Sequence, residues 1–225
     1  MTKIRTVSDA KRDFYRRYNR PISSVYRRLV EELLVEMHLL VVNRDFRYDP
    51  IFALGVVTAF DKFMQGYQPA EDLGAILEAL CQSISGGADQ YRQDAAALRE
   101  SVQGLSLEQV LTSETAPENS LLLTTLDKIA QNPNFKYSRL FAIGLYTALL
   151  ELAPALAEDA EQRQQTLGQL AETLKLSGDK FQKDLDLYRS NLDKVDQLLK
   201  VLAESAEADR KKREKQAAEA GGALG

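Results

Sequence analysis

The only histidine of the chain, His38, lies near three glutamates on a segment with helical periodicity, Glu31, Glu32 and Glu36. Metal sites in helical bundles combine Glu-x-x-His pairs on facing helices. Position 35 is a valine, so this spacing is absent, and no second histidine could complete a site. We therefore interpret His38 as a partly buried structural residue and predict no metal site.

The only cysteine, Cys81, is the one candidate for nucleophilic catalysis. A Cys81–His38 pair would consist of two isolated residues without the flanking motif of a nucleophile and its base. The apolar neighbours Leu77, Leu80 and Ile84 indicate that Cys81 is a small buried residue. The chain also lacks the glycine spacing and the lysine of a phosphate-binding loop. The sequence predicts no catalytic residue, no cofactor and no enzyme activity.

The formal net charge of −4 conceals an uneven distribution of charge. Residues 1–30 contain nine bases and two acids, a local charge of +7, so the remaining residues carry −11. Such a basic segment can bind anionic lipid head groups, and we predict an anionic-surface site at Arg12, Arg16 and Arg17. The alternative is a solvated helix face that pairs with the protein's own acids. The acidic body and the absence of a helix-turn-helix signature disfavour nucleic-acid binding.

Apolar residues at spacings of three and four predict an all-α fold built around an αα-hairpin. The first helix covers roughly residues 22–42, with an apolar stripe of Val25, Leu29, Leu33, Leu34, Met37 and Leu40. The second runs from Ile51 to Phe63 after an N-cap at Asp49, and its apolar residues on several faces indicate deeper burial.

The loop between these two helices carries Arg44, Asp45 and Arg47. Helix capping with local ion pairs is the favoured explanation of these charges, and an exposed charged docking surface is the alternative. A partner-binding role for the loop stays a hypothesis at this point.

Further helices are predicted on both sides of the hairpin. The first begins at Ser8 or Asp9, and five more lie between Pro69 and Ala153, with the clearest loop at residues 112–119. The apolar run 140–157 is interrupted by Glu151 and Pro154 and is shorter than the ~20 residues that a bilayer requires. We therefore expect a soluble protein, at most attached to a membrane surface.

Beyond Pro154 the composition becomes acidic and then follows a heptad pattern, which predicts a coiled-coil-like helical arm. Its core positions are Phe181, Leu185, Tyr188, Leu192, Val195, Leu199 and Leu202. Phe181 and Tyr188 are poor core residues for a parallel dimer, so folding back onto the body is favoured over self-dimerisation. Leu185, Leu192 and Leu199 are predicted partner contacts. The predicted organisation is a compact multi-helix domain over residues 1–155, a long C-terminal arm over 156–220 and a frayed tail over 221–225.

Four stretches resemble the thylakoid formation protein family of cyanobacteria and chloroplasts, a photosystem II-associated family. They are Val7–Tyr18 (VSDAKRDFYRRY), Pro21–Leu40, Asn43–Phe63 and Phe135–Leu145 (FKYSRLFAIGL). The resemblance implies a non-enzymatic accessory factor for photosystem II biogenesis and repair that associates with FtsH-type thylakoid proteases. It also implies the cyanobacterial form, peripheral on the cytoplasmic face of the thylakoid, because no transit peptide precedes the opening motif. The family has no established catalytic residues, so none are carried over.

Three alternatives remain open at the level of sequence. The first is a protein that binds anionic membrane surfaces and organises thylakoids or vesicles. The second is an assembly factor that acts directly on photosystem II subunits. The third is a carrier of a small molecule or pigment in the helical core.

Overall fold

The computed structural model describes the backbone of residues 5–112 and 120–222, and the side chains of these residues except 202, 206, 209 and 213–222. The described residues contain helices, turns and irregular segments but no strand, which confirms the all-α prediction. The helices are α1 (Val7–Arg17), α2 (Ser24–Val41), α3 (Pro50–Phe63), α4 (Asp72–Gln82), α5 (Ala88–Val102), α6 (Leu107–Thr112), α7 (Leu121–Ala130), α8 (Arg139–Leu152), a 3-10 turn (Pro154–Ala157), α9 (Ala160–Thr173) and α10 (Gly178–Gly222). The predicted loop over residues 112–119 lies outside the described residues from position 113 onward.

Local capping explains why most helices begin where they do. The Asp49 carboxylate accepts a hydrogen bond from the Phe52 amide at 2.8 Å, which confirms the predicted N-cap of α3. The predicted start of α1 at Ser8 or Asp9 was wrong, because the N-cap of this helix is Thr6. Thr6 and Asp9 form a reciprocal capping box, in which Asp9 occupies the third helical position. Hydrogen bonds from the Thr6 backbone and hydroxyl lower the pKa of Asp9 to about 2.

The centre of the core is the crossing of α3 and α8, which packs more extensively than the predicted pair of α2 and α3. Both helices carry buried residues on nearly every face, as their sequences predicted. At the crossing, a Cβ atom on Gly55 would overlap the carbonyl oxygen of Leu140, and one on Gly144 would overlap that of Ile51. Because neither glycine has a Cβ, the two backbones are in direct contact.

The chain divides into two compact units, one ending at Tyr188 and the other beginning at Arg189. Residues 156–188 therefore belong to the first unit, whereas the sequence-based boundary was placed at residue 155. The physical reason is burial: Leu156, Leu167, Leu170, Phe181, Leu185 and Tyr188 are all buried. In the second unit, α10 continues as a helix to Gly222, and residues 223–225 of the predicted frayed tail lie outside the described residues.

Within the described residues, every helix is either too short or too polar to cross a bilayer.

Candidate functional site

The outer face of α2 exposes two large apolar side chains, Val25 and Leu39. Four of the six large apolar side chains that this surface exposes, Val25, Leu39, Val42 and Tyr48, lie on α2 or in the loop that follows it. Leu39 is 57% exposed. Val35 lies one turn before Leu39, so the two share a face of the helix. Clustering of exposed apolar residues on one element is typical of a protein–protein contact surface, whereas scattered ones are not.

The structure corrects the predicted core stripe of α2 at its amino end. Val25, which was placed in that stripe, is exposed, and the neighbouring Tyr26 is buried in its place. The Tyr26 hydroxyl donates to the carbonyl oxygen of Gln65 at 2.9 Å, which fixes the rotation of the helix.

An open recess of about 810 Å³, here called the α2 groove, follows this face of α2. Its floor is α2 from Ser24 to Leu39, and its walls include Lys11 of α1 and Arg139 at the first residue of α8. The groove is therefore formed by α1, α2 and α8, which all belong to the first unit. Its lining combines apolar side chains with fixed charges.

Ion pairs hold the charged side chains of the groove in place. Lys11 Nζ lies 2.6 Å from Glu31 Oε2, and Arg28 Nε lies 2.9 Å from Glu32 Oε1. The hydrogen bond from Lys11 is the main reason that the pKa of Glu31 is lowered. Within the described part of the chain, the Arg27 guanidinium makes no ion pair or hydrogen bond, although its charge lies within electrostatic range of Glu31.

The far end of the groove is anchored by a partly buried polar network. Arg139 donates to Glu36 through two guanidinium nitrogens, of which Nε lies 3.1 Å from Glu36 Oε2. Burial raises the pKa of Glu36, and the charge of Arg139 opposes this rise. The Tyr137 hydroxyl donates to Asp184 Oδ2 at 2.9 Å, and the charge of Asp184 also acts on Glu36. The network connects α2, α8 and the first turns of α10.

The charged loop after α2 is only partly free for a partner. Arg47 Nη1 donates to the carbonyl oxygens of Arg44 at 2.6 Å and Phe46 at 2.7 Å, so its head group stabilises the loop backbone. The backbone amide of Asp45 donates to Asn43 Oδ1 at 2.9 Å. The side chains of Arg44 and Asp45 are exposed. A docking role for this loop therefore depends on Arg44 and Asp45 more than on Arg47.

The arginines of α1 combine exposure with pairing to the protein's own acids. Arg12 Nη2 lies 2.9 Å from Asp9 Oδ1, and Arg16 Nη1 lies 3.9 Å from Asp13 Oδ1. The Arg17 guanidinium donates a hydrogen bond at 2.6 Å to Oε1 of Gln82, the last residue of α4. All three arginines are nevertheless exposed. They are therefore accessible to an anionic surface, and they also interact with the protein's own side chains.

The structure separates the predicted partner contacts of the heptad pattern into two groups. Leu185 is 1% exposed and belongs to the first unit, so it packs in the core and presents no surface to a partner. This corrects its assignment as a contact residue. Leu192 and Leu199 lie in the second unit and are partly exposed, and their role stays a prediction. The side chain of the last heptad position, Leu202, lies outside the described side chains.

The two residues with the most reactive side chains are both buried, as the sequence indicated. Cys81 is fully buried, and burial raises the pKa of its thiol to about 12, so it stays protonated at neutral pH. His38 is buried on the inner face of α2. Across residues 5–112 and 120–222, no three histidine, cysteine, aspartate or glutamate side chains converge to hold a metal ion.

We expect the pKa of His38 to lie below its ordinary value of 6.5, first because burial penalises the imidazolium and second because of the charge of Arg5. The unfolded chain then binds this proton more tightly, so His38 contributes stability that is lost as the pH falls below 6.5. Proton NMR titration would follow a single imidazole signal, with the urea-unfolded chain as the control. A folded-state pKa at or above 6.5 would contradict this prediction.

Sequence reasoning missed the groove, although one signal was present. The run Leu39 to Val42 contains four consecutive apolar residues, more than one helix stripe can bury. Two of these, Leu39 and Val42, are the exposed ones. Nothing in the local sequence could have indicated that Arg139 pairs with Glu36, because the two lie in helices far apart in the chain.

Comparisons with known proteins give a consistent result over nearly the whole chain. The family described as "Thylakoid formation protein" matches residues 6–217. Protein Thf1 of Synechocystis sp. is 62% identical over 221 residues, which cover 97% of this chain and 92% of that protein. Protein Thf1 of Rippkaea orientalis is 56% identical over 220 residues, covering 96% of this chain and 94% of that protein. The solved structure of Psb29 has a TM-score of 0.80 at 47% identity and covers 93% of this chain and 98% of its own.

Proposed function

This chain belongs to the thylakoid formation protein family, and from that premise we propose that it is a non-enzymatic accessory factor for photosystem II biogenesis and repair. In this proposal the protein associates with FtsH-type thylakoid proteases and supports their function. It acts as a peripheral protein on the cytoplasmic face of the thylakoid. A role connected with thylakoids follows from the family itself.

The observation that carries the proposal is the α2 groove. It presents the partly exposed Val35 and the exposed Leu39 beside side chains that form ion pairs, and such a mixture of apolar and charged groups is typical of a recognition surface. The buried Cys81 and His38 offer no accessible nucleophile or base beside it. A factor that works by contact, without chemistry of its own, is consistent with this arrangement.

The association can be tested by affinity capture from detergent-solubilised thylakoid membranes. The full chain should retain FtsH-type protease subunits. The Leu192→Glu/Leu199→Glu variant tests the predicted contacts of the second unit, and we expect at least a tenfold loss of captured protease because two charges would be buried at the contact. The matched control is Val201→Glu on the same helix, at a position 61% exposed.

Two outcomes would contradict parts of this proposal. Unchanged capture by the double variant would remove the second unit from the contact. Capture of photosystem II subunits without the protease would favour the assembly-factor alternative.

A second candidate function, binding to anionic membrane surfaces, is favoured by the exposure of Arg12, Arg16 and Arg17. Each basic residue near such a surface contributes about 1 kcal/mol, so the triple change to glutamate should weaken binding to anionic vesicles by at least about 100-fold. Vesicle co-sedimentation at two salt concentrations would measure this. The control reverses three exposed lysines elsewhere, Lys62, Lys128 and Lys136. A specific site on α1 would be excluded if the arginine and lysine variants lost vesicle binding equally, or if binding did not depend on salt.

A further inference from the structure

The length of the α2 groove matches one short helix. The groove follows α2 from Ser24 to Leu39. At 1.5 Å per residue this distance is roughly 22 Å, the length of a helix of about 15 residues. An extended segment of that length would need only about seven residues. Because a helix of about 10 Å diameter needs a wide trough, the open volume of about 810 Å³ favours a helical occupant.

The charges of the groove are balanced except at one end. Its lining contains four basic residues and three glutamates, and each glutamate is paired with a different base: Lys11, Arg28 or Arg139. The fourth base, Arg27, has no ion pair in the part of the chain that the structure describes. The uncompensated positive charge therefore lies near the amino end of α2.

The opposite end of the groove carries its two apolar side chains, beside the ion pair of Glu36 and Arg139. Val35 and Leu39 lie two and three turns along α2 from Arg27, and Leu39 is among the most exposed apolar residues of the described surface. The groove thus has an unpaired cation at one end and two apolar side chains at the other, and its remaining charged side chains form ion pairs. A flat anionic membrane fits this arrangement poorly, because among the described residues only one of the four bases of the groove, Arg27, is without an ion pair.

We propose that the α2 groove binds an amphipathic helix of a partner protein, about 15 residues long, with apolar residues at one end and a carboxylate at the other. The apolar residues cover Val35 and Leu39, and the carboxylate pairs with Arg27. Helices that dock in grooves use anchors at spacings of three, four and seven residues, which fits the one-turn separation of Val35 and Leu39. The inference rests on the proposed function, since the helix is expected within the protease complex.

Site-specific photocrosslinking with the full chain would identify the occupant. A benzophenone amino acid is placed at Leu39, and in the control at Leu187, which is also exposed. Both proteins are incubated with solubilised thylakoid membranes, irradiated and analysed by peptide mass spectrometry. We expect crosslinks from Leu39, and none from Leu187, to one helical segment of the protease complex with an acidic end. Crosslinks to lipid, to a second copy of this chain or to a basic segment would overturn the proposal.

Two substitutions test the two ends of the groove separately. Leu39→Glu and Arg27→Glu should each reduce protease capture at least tenfold, and the effect of Arg27→Glu should diminish at high salt. Both positions are exposed, so the fold should persist, which circular dichroism would check. Capture within twofold of the unmodified chain for both variants would overturn this inference and leave the proposed function intact. Failure of the unmodified chain to capture the protease would instead overturn the proposed function.

Discussion

Replacing Gly55 or Gly144 by alanine should lower the stability of the first unit by more than about 3 kcal/mol, because overpacking at a backbone contact cannot be relieved by side-chain rotation. A Cβ on Gly55 would overlap a carbonyl oxygen of α8 and lie 3.0 Å from the Gly144 amide nitrogen. A Cβ on Gly144 would overlap a carbonyl oxygen of α3 and lie 2.8 Å from the Gly55 amide nitrogen. The helices must then separate, and the apolar residues packed around the crossing lose contact.

A matched substitution on another helix provides the control. Gly168 lies inside α9, and a Cβ there meets no atom within 4 Å. Gly168→Ala should therefore stabilise the protein by about 0.5–1 kcal/mol through helix propensity alone. For a chain of this size, 3 kcal/mol corresponds to a decrease of about 6–12 °C in Tm, measurable by circular dichroism. Changes within 2 °C for Gly55→Ala would show that the crossing is looser than the structure indicates.

The positions of most helices could be predicted because their end signals are local. The N-cap at Asp49 acts within one turn, and the structure contains the hydrogen bond that it predicts. The start of α1 could not be decided in the same way. Asp9 can serve as an N-cap or as the third residue of a capping box, and only the Thr6 hydroxyl selects between the two.

The pairing of helices could not be predicted, because it depends on residues distant in sequence. The sequence identified α3 and α8 as deeply buried, but nothing in either helix shows that Gly55 meets Gly144. The hairpin of α2 and α3 was therefore taken as the centre, whereas the closest backbone approach lies between α3 and α8.

The candidate site was predicted less well than the fold, for a related physical reason. Heptad periodicity shows which residues share a stripe, but it does not show what covers the stripe. Leu185 and Leu192 have the same pattern, yet Leu185 is buried in the first unit and Leu192 is partly exposed in the second. The ion pairs of the α2 groove likewise join α1, α2 and α8 through side chains that no local pattern connects.

Replacing Phe181 by alanine should cost about 3–5 kcal/mol of the free energy of unfolding, because a fully buried aromatic side chain would leave a cavity. Phe181 is 0% exposed, and its ring packs edge-on against Tyr137 with 6.2 Å between centroids. The loss would also weaken the packing beneath the hydrogen bond from Tyr137 to Asp184, which joins α10 to the groove network. Chemical denaturation would measure the change.

Leu187→Ala on the same helix is the control, since Leu187 is 44% exposed and its truncation should change stability by no more than about 0.5 kcal/mol. A large cost for Phe181 and a small one for Leu187 is expected only if the first turns of α10 form part of the compact domain. If both changes cost less than about 1 kcal/mol, the domain would instead end near residue 155, as the composition of the chain suggests. The comparison therefore decides whether the first turns of α10 pack against the compact domain or lie apart from it.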